Sequence, residues 1–249
     1  MQTLFISDLH LTPSRPDITA SFIHFMRHDA INADALYVLG DLFDFWIGDD
    51  DPTPFSQSIK EEFKRLTNAG VTCFFVHGNR DFLIGQRFAK QTGVTLLAEE
   101  SVIDLYGQQA VILHGDTLCT DDVGYLAYRA KVHQPWLQWL FNRLPYWLKT
   151  RIVRRVQTDI RQEKSNKSMM IMDVTPNEVI KVMAKHQVDI MIHGHTHRPA
   201  IHKISEIKPK IRIVLGDWDT QGWVLRYTQH SYTLESFPLE SSYSMASQA

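Results

Sequence analysis

Residues 35–44 read Ala-Leu-Tyr-Val-Leu-Gly-Asp-Leu-Phe-Asp, a short apolar run followed at once by a glycine and two aspartates. A short run rich in Leu and Val and bounded by Gly or Asp is typical of a strand buried on both faces of a sheet. In an open α/β sheet, ligands bind just beyond the carboxyl ends of the strands. This stretch therefore predicts a buried strand that brings Asp41 and Asp44 to a functional edge.

Four further apolar runs end in the same way, each followed by residues that commonly bind metal ions. In chain order these polar groups are Asp8-Leu9-His10, Gly78-Asn79-Arg80-Asp81, His114-Gly115-Asp116 and Gly194-His195-Thr196-His197. A single Asp-x-His is more often a surface turn than a metal site, and the chain has 12 histidines to place near an aspartate by chance. Chance placement does not explain five such groups at five strand ends. One sheet edge would bring all five together, so the sequence predicts a metalloenzyme.

Strands and helices alternate along the first half of the chain, which predicts an α/β fold. The expected strands are 3–7, 35–39, 72–77, 95–97, 101–106, 110–113 and 189–192, and the expected helices are 17–30, 56–69, 82–92 and one from Pro176. Residues 200–236 are expected to form short antiparallel strands. We predict one domain over residues 1–240, with a flexible tail at 241–249.

The bulk composition excludes several classes of protein. The formal charge is −2 over 249 residues, which gives no overall preference for nucleic acid or membrane. The two cysteines, Cys73 and Cys119, do not form a disulfide framework, so a reducing cytoplasm is expected. The N-terminus lacks the basic start and apolar stretch of a signal peptide. No apolar run approaches the roughly 18 residues of a membrane span.

The segment from about 121 to 168 interrupts the α/β alternation and is predicted to be a helical insertion. Its ten cations are Arg129, Lys131, Arg143, Lys149, Arg151, Arg154, Arg155, Arg161, Lys164 and Lys167. Trp136, Trp139 and Trp147, three of the six tryptophans, also lie there. Two interpretations stand side by side. The aromatic residues pack the insertion onto the core, or the segment faces a lipid surface of negative charge.

The predicted ligands form a mixed set of nitrogen and oxygen donors without thiolates, which suits Mn²⁺, Fe²⁺ or Zn²⁺. Two such ions can bind both the attacking and the leaving oxygen in a phosphoryl displacement. A pair of ions needs a bridging carboxylate. Asp41 is the candidate, because it directly follows a strand and a glycine.

The five groups, in this order, resemble the motifs of the calcineurin-like metallophosphoesterases, and the resemblance spans residues 8–197. It implies an αββα sandwich and two metal sites. One site would use Asp8, His10, Asp41 and His197, and the other Asp41, Asn79, His114 and His195. The residues expected to take part in catalysis are Asp41, Asn79, Arg80, His114 and His195.

The third group departs from the common family pattern, in which a histidine follows the asparagine. Here the residue is Arg80. An imidazole acid helps a poor alkoxide to leave, whereas a phosphate leaving group needs less help. A guanidinium instead donates paired hydrogen bonds to phosphate oxygens. Arg80 therefore favours a diphosphate substrate over a simple phosphomonoester.

Longer strings resemble the branch of this family that acts in the lipid A synthesis of Gram-negative bacteria. They include LFISDLHL, FVHGNRDFLIGQRFA, LHGDTLCTDD, YRAKVHQPWLQ and IHGHTHRPAIH. The resemblance implies two Mn²⁺ ions and hydrolysis of UDP-2,3-diacylglucosamine at the α-phosphorus, with the insertion over the acyl chains. It also implies peripheral binding to the anionic cytoplasmic face of the inner membrane, with no nucleic-acid or protein partner.

The same resemblance implies which residues contact the substrate. They are Asn79, Arg80, Asp122, Lys167 and His195, and two further family contacts fall on Ile160 and Lys164. Lys164 and Lys167 are three residues apart and can share one helix face.

Two other functions are consistent with parts of the sequence. A soluble nucleotide-sugar or dinucleotide pyrophosphatase would need the same metal ligands but no lipid surface. A non-catalytic scaffold would keep the fold for binding a partner, but it has no need for seven metal ligands. Comparing hydrolysis of UDP-glucose and of the diacylated substrate distinguishes the two enzymes.

Overall fold

The computed structural model describes residues 1–164, 173–205 and 209–240, and the side chains of these residues except 157–164 and 205. Within them the strands are β1 (Gln2–Ile6), β2 (Ala35–Leu39), β3 (Thr72–Val76), β4 (Thr95–Leu96), β5 (Ser101–Leu105), β6 (Gln108–Ile112), β7 (Ile190–His193), β8 (Ala200–Ser205), β9 (Lys210–Val214), β10 (Gln221–Thr228) and β11 (Tyr232–Pro238). The helices are α1 (Pro16–His28), α2 (Pro54–Asn68), α3 (Gln86–Thr92), α4 (Val123–Val132), α5 (Pro135–Asn142), α6 (Tyr146–Lys164) and α7 (Pro176–His186).

The strands form two sheets, each with a parallel centre. The first has the order β11-β10-β1-β2-β3-β4 and the second β5-β6-β7-β9-β8. Strands β1 to β4 pair in parallel, as do β6, β7 and β9. The carboxyl ends of β1, β2 and β3 therefore lie at one edge of the first sheet, and those of β6, β7 and β9 lie at one edge of the second.

Three apolar clusters define the layers. Phe5, Tyr37 and Ile192 belong to the cluster between the two sheets. Helices α1 to α3 cover the first sheet through a cluster that contains Phe22 and Phe63. Helix α7 covers the second sheet in the same way. Because the central strands are buried on both faces, their residues are mostly apolar and do not alternate between apolar and polar. The result is the predicted αββα sandwich, and this prediction is confirmed.

Two predictions of local structure were wrong. Helix α3 begins at Gln86 rather than at 82, because the carboxylate of Asp49 accepts hydrogen bonds from the backbone N–H groups of Gly85 and Phe88 and fixes the helix start there. The late strands were expected to be antiparallel. Strand β10 does pair antiparallel with β1, whereas β9 pairs in parallel with β7.

Helices α4, α5 and α6 occupy most of the segment predicted to be an insertion, and we call residues 123–164 the cap. Trp136, Trp139 and Trp147 are 64%, 57% and 65% exposed. Core packing therefore does not explain these three side chains. Among the described residues, no helix combines the length and the apolar character that a membrane span requires. The tail at 241–249 lies outside the described residues.

Candidate metal centre

Five of the predicted ligands have a left-handed backbone conformation. Asp8, His10, Asp41, His195 and His197 have φ angles of 56°, 49°, 51°, 69° and 56°. Asp and His adopt this region more readily than most residues, but each still costs about 1 kcal/mol or more. Strained residues of this kind cluster at functional sites, because the surrounding structure must hold them in place. Here each of the five residues lies in a sharp turn of the chain that follows a strand, and its side chain faces the other predicted ligands.

Two glycines allow these loops to pack closely. A Cβ at Gly78 would lie 2.2 Å from Oδ1 of Asp41, and a Cβ at Gly194 would lie 2.3 Å from Oδ2 of Asp8. Any side chain at either position would therefore displace a buried carboxylate. The backbone of Gly194 also joins the loops that follow β6 and β7 of the second sheet, because its N–H donates to the carbonyl of His114 at 2.8 Å.

Asp8, His10, Asp41 and His197 form the first group of predicted ligands. Nε2 of His197 lies 3.4 Å from Oδ1 of Asp8 and 3.3 Å from Nε2 of His10. Nδ1 of His10 lies 3.9 Å from Oδ2 of Asp41. Asp8 and Asp41 are buried, whereas the two imidazoles are partly exposed. The group is thus closed on the protein side and open toward solvent.

Asp41, Asn79, His114 and His195 form the second group. Nε2 of His114 lies 3.1 Å from Oδ1 of Asn79, 3.2 Å from Nδ1 of His195 and 3.7 Å from Oδ1 of Asp41. Nδ1 of His114 contacts the carbonyl of Leu39 at 2.8 Å, which leaves Nε2 directed at the group. Asp41 contributes one oxygen to each group, as a bridging carboxylate would.

The two groups fit divalent metal ions. Ligands about 2.1 Å from one ion lie about 3.0–3.4 Å from each other, and most of the distances above are close to that range. Oδ1 of Asp8 and Nδ1 of His10 are buried without a hydrogen-bond partner among the described residues. Buried polar atoms are rarely left unpaired, so these two atoms favour a cation at this position. Ligand atoms of Asp8, Asp41 and His114 also lie within 4.8 Å of one another.

Three buried carboxylates create the negative field of the site. Burial alone would raise the pKa of the Asp8 carboxyl, but contact with His197 and the charges of nearby imidazoles lower it below its usual range. Burial and the charge of Asp8 raise the pKa of Asp41. Burial and the charge of Asp41 raise the pKa of Asp81 to about 7. Carboxylates this close repel one another unless a cation lies between them.

The imidazoles respond to the same field. Burial opposes protonation of His114, but the charges of Asp41 and Asp8 raise its pKa to about 9. Contact with Asp8 likewise raises the pKa of His197 above its usual value in spite of burial. Burial lowers the pKa of His10 well below its usual value. His114 therefore holds a proton near neutral pH that a metal ion would have to displace.

Arg80 lies beside the bridging carboxylate. Its backbone N–H donates to Oδ1 of Asp41 at 2.9 Å, and its Nε lies 3.5 Å from Oδ2. The guanidinium also forms an ion pair with Asp44 and lies 5.7 Å from the centre of the Phe45 ring. Its side chain is 22% exposed, so an anion can reach it from solvent. Arg80 is thus a cation held at the mouth of the ligand cluster.

Comparison with known proteins identifies the family. The calcineurin-like phosphoesterase family matches residues 1–199. The chain belongs to the calcineurin-like phosphoesterases. It is therefore a metal-dependent hydrolase, and the resemblance seen in its motifs is confirmed.

Three relatives of this phosphoesterase, all named UDP-2,3-diacylglucosamine hydrolase, match almost its whole length. The protein of Vibrio cholerae serotype O1 strain O395 is 67% identical over 242 residues, which cover 96% of this chain and 98% of the relative. That of Vibrio atlanticus is 62% identical, with 95% and 97% covered. That of Aliivibrio fischeri is 57% identical, with 94% and 98% covered.

One further carboxylate, absent from the predicted site, lies beside the ligand cluster of the phosphoesterase. Oδ2 of Asp217 lies 3.4 Å from Nδ1 of His197, where it can orient the ring. Asp217 follows β9 in the string Val-Leu-Gly-Asp, the same pattern of apolar run, glycine and aspartate that marks Asp41. That pattern could have found it.

Three further aspartates of the motifs, Asp44, Asp81 and Asp116, contact groups other than the imidazoles of the predicted ligands. Asp44 binds Arg80. Asp81 accepts hydrogen bonds from the backbone N–H groups of Gly78 at 2.9 Å and of Leu42 at 2.7 Å. It therefore joins the loops that follow β3 and β2. Asp116 accepts hydrogen bonds from two side chains of the cap, from Oη of Tyr125 at 2.5 Å and from Nε of Arg129 at 2.7 Å. The three therefore fix loops and the cap rather than imidazole rings.

The predicted substrate contacts are only partly described. Asp122 is partly exposed, and its Oδ1 accepts the N–H of Tyr125 at 2.9 Å, which caps the start of α4. The backbone of Lys164 ends α6, but its side chain and that of Ile160 are not described. Lys167 lies outside the described residues.

Proposed function

We propose that this phosphoesterase hydrolyses the diphosphate of UDP-2,3-diacylglucosamine in lipid A biosynthesis. Water attacks the α-phosphorus, and the products are UMP and 2,3-diacylglucosamine 1-phosphate. The observation that carries the proposal is the match to three relatives of that name at 57–67% identity over nearly the whole chain. A cation in place of a histidine at position 80 supports the same substrate class.

We propose two Mn²⁺ ions as the cofactors, one held by Asp8, His10, Asp41 and His197 and one by Asp41, Asn79, His114 and His195. When bound, such ions polarise phosphoryl oxygens and lower the pKa of water. The donor set without thiolates and the contact of Asp41 with both groups support this assignment.

Arg80 binds the substrate rather than the metal in this proposal. Its guanidinium exchanges part of its ion pair with Asp44 for non-bridging diphosphate oxygens, and its backbone N–H continues to hold Asp41. Asn79 and His195 border the same space. Asp122, Lys164 and Lys167 are proposed to contact the glucosamine phosphate.

The cap, within an insertion at about 121–168 of a single domain spanning 1–240, is proposed to cover the acyl chains. It is also proposed to bind the anionic cytoplasmic face of the inner membrane of a Gram-negative bacterium. Exposed Trp136, Trp139 and Trp147 support a lipid-facing role. Arg143 lies 3.5 Å from the Trp139 ring centre, so a cation accompanies the aromatic surface.

Competing substrates test the proposal. The purified protein with Mn²⁺ is assayed against UDP-2,3-diacylglucosamine and UDP-glucose. We expect cleavage of the diacylated substrate with at least about a 10²-fold higher kcat/KM, because the acyl chains add buried apolar area. Equal kcat/KM for both would support a soluble nucleotide-sugar pyrophosphatase instead.

A further inference from the structure

Helix α6 has a buried lysine in its first turn. Lys149 is 0% exposed, and its Nζ donates a 2.7 Å hydrogen bond to Oδ1 of Asp50. A cation in the first turn of a helix opposes the helix dipole, and a buried ammonium is costly unless it is paired. The ion pair with Asp50 must offset both effects. Such an ion pair, with its lysine buried and its aspartate partly exposed, adds little net stability but can fix one arrangement of the two groups.

Asp50 belongs to a short acidic loop, residues 48–51, that follows the ligand loop after β2. Its three aspartates have three different partners. Asp49 binds the start of α3, Asp50 binds Lys149, and Asp51 accepts from Oη of Tyr146 at 3.0 Å. Two of the three therefore hold the first turn of α6. The acidic loop thus links the catalytic edge to the cap.

Gly48 makes room for this contact. Its φ is +139°, and a Cβ there would lie 2.6 Å from Oδ1 of Asp50 and 3.0 Å from Nζ of Lys149. The ammonium group thus lies against bare backbone. Any other residue at position 48 would push the lysine and the aspartate apart.

The position of α6 matters because the helix is long and is held near one end. From residue 149 to residue 164 it rises about 22 Å, so a tilt of about 10° moves its far end by about 4 Å. Tyr146, in the first turn of α6, lines a cavity of about 200 Å³ that is also lined by Asp44, the partner of Arg80. A shift at the start of α6 would therefore move its far end and also change a cavity that adjoins the partner of Arg80.

We propose that Lys149 and Asp50 are positioning residues, and that their ion pair anchors α6 in the orientation that binds the diacylated half of the substrate. This inference rests on the proposed function for its substrate. It assigns no role in the chemical step to either residue. Loss of the anchor should weaken substrate binding and leave the metal centre intact.

Four variants of the full chain test the anchor. Lys149→Met removes the charge, Lys149→Arg keeps it, and Gly48→Ala crowds the pair from the other side. Lys131→Met, at an exposed lysine of α4, is the control for loss of a cation from the cap. Each is measured with Mn²⁺ for metal content, for kcat and KM in detergent micelles, and for amide hydrogen exchange over residues 146–156.

We expect Lys149→Met and Gly48→Ala to raise KM about tenfold with kcat within about twofold of wild type, since misplaced binding groups weaken binding without removing chemistry. We expect exchange in α6 to rise about tenfold as its first turn loosens. Metal content should not change, Lys149→Arg should restore KM, and Lys131→Met should match wild type.

An unchanged KM in Lys149→Met, with or without faster exchange, would overturn the positioning role. So would a fall in kcat that tracks lost metal. If wild type does not cleave UDP-2,3-diacylglucosamine at all, the proposed function fails. In that case the exchange rate of α6 alone decides whether the anchor exists, and an unchanged rate overturns it.

Discussion

Arg80 holds Asp41 through two different groups: its backbone N–H donates to Oδ1 at 2.9 Å, and its Nε lies 3.5 Å from Oδ2. The side chain can therefore be removed without removing the hydrogen bond from the backbone. This separation allows substrate binding by Arg80 to be tested apart from assembly of the metal centre.

Arg80→Ala should lower kcat/KM by roughly 10²-fold, because paired hydrogen bonds to the diphosphate are lost. Metal content should stay at the wild-type level, since the N–H to Asp41 remains. Steady-state kinetics and elemental analysis of the same preparation check both statements. Arg80→Lys is the matched control, and it should recover only part of the rate because an ammonium cannot form the planar pair of bonds. A wild-type kcat/KM in Arg80→Ala would exclude the role.

Asp41→Asn should reduce turnover at least about 10³-fold, on the order of 4 kcal/mol of barrier, because both ligand groups lose the oxygen that they share. Elemental analysis should show less than the wild-type amount of metal. Asp44→Asn, at a carboxylate that contacts Arg80 rather than the ligand imidazoles, serves as the control and should keep its metal. Wild-type turnover in Asp41→Asn would show that the bridging assignment is wrong.

Metal affinity should rise with pH up to about pH 9. Asp41 and Asp8 raise the pKa of His114 to about 9, so below that value a metal ion must displace the proton. We expect about a tenfold gain in affinity per pH unit for each proton displaced. Competition with a chelator between pH 6.5 and 9 measures it, and His114→Gln should flatten the slope.

In the metal-free protein, the contribution of His114 to the stability of the fold should fall as the pH rises. A pKa raised from 6.5 to about 9 in the folded state stabilises the fold fully below pH 6.5. That contribution is lost as the pH rises toward 9. Melting curves of the chelated and Mn²⁺-loaded proteins should therefore diverge as pH increases, and convergence would contradict the assignment of His114.

Asp217→Asn should weaken metal binding by about 10- to 100-fold without unfolding the protein, because a carboxylate beside a metal-binding imidazole orients the ring. Chelator competition measures the affinity. Asp219→Asn, two residues along the same loop, is the control: this carboxylate binds Arg15 at 2.7 Å and no ligand. Equal affinities for Asp217→Asn and wild type would remove Asp217 from the site.

The double variant Trp136→Ala and Trp139→Ala should weaken binding to anionic vesicles and raise KM for the diacylated substrate. Its melting temperature should not fall, because both side chains are more than half exposed. Charge reversal at Arg151, Arg154 and Arg155 should flatten the salt dependence of vesicle binding. A large drop in melting temperature for the tryptophan variant would favour core packing after all.

The sequence predicted the strand ends that carry the seven proposed ligands because those ends are marked by local patterns, and the sandwich followed from the resemblance of the motifs to a known family. An apolar run that ends at Gly40 and Asp41 identifies a buried strand and its functional end. The structure brings five such ends together from two sheets, three from the first and two from the second. The left-handed conformations that make the ligands converge need Asp, His or Gly, and those residue types were visible too.

What the sequence did not predict depends on contacts between distant residues. The start of α3 is set by Asp49, 37 positions before Gln86, and no local signal marks residue 86 as the first of a helix. In the sequence Lys149 is one of ten cations of the insertion, and nothing near it indicates that it pairs with Asp50. The pairing of β9 with β7 likewise depends on which strand β9 meets after the chain has turned back.

Hydrolysis at the α-phosphorus of UDP-2,3-diacylglucosamine can be followed with ¹⁸O-labelled water. The Mn²⁺-loaded protein is incubated with this substrate in H₂¹⁸O, and the masses of the products are measured by mass spectrometry. We expect UMP that carries one ¹⁸O and unlabelled 2,3-diacylglucosamine 1-phosphate in equal amounts. Label in the sugar phosphate, release of UDP, or no cleavage would contradict it.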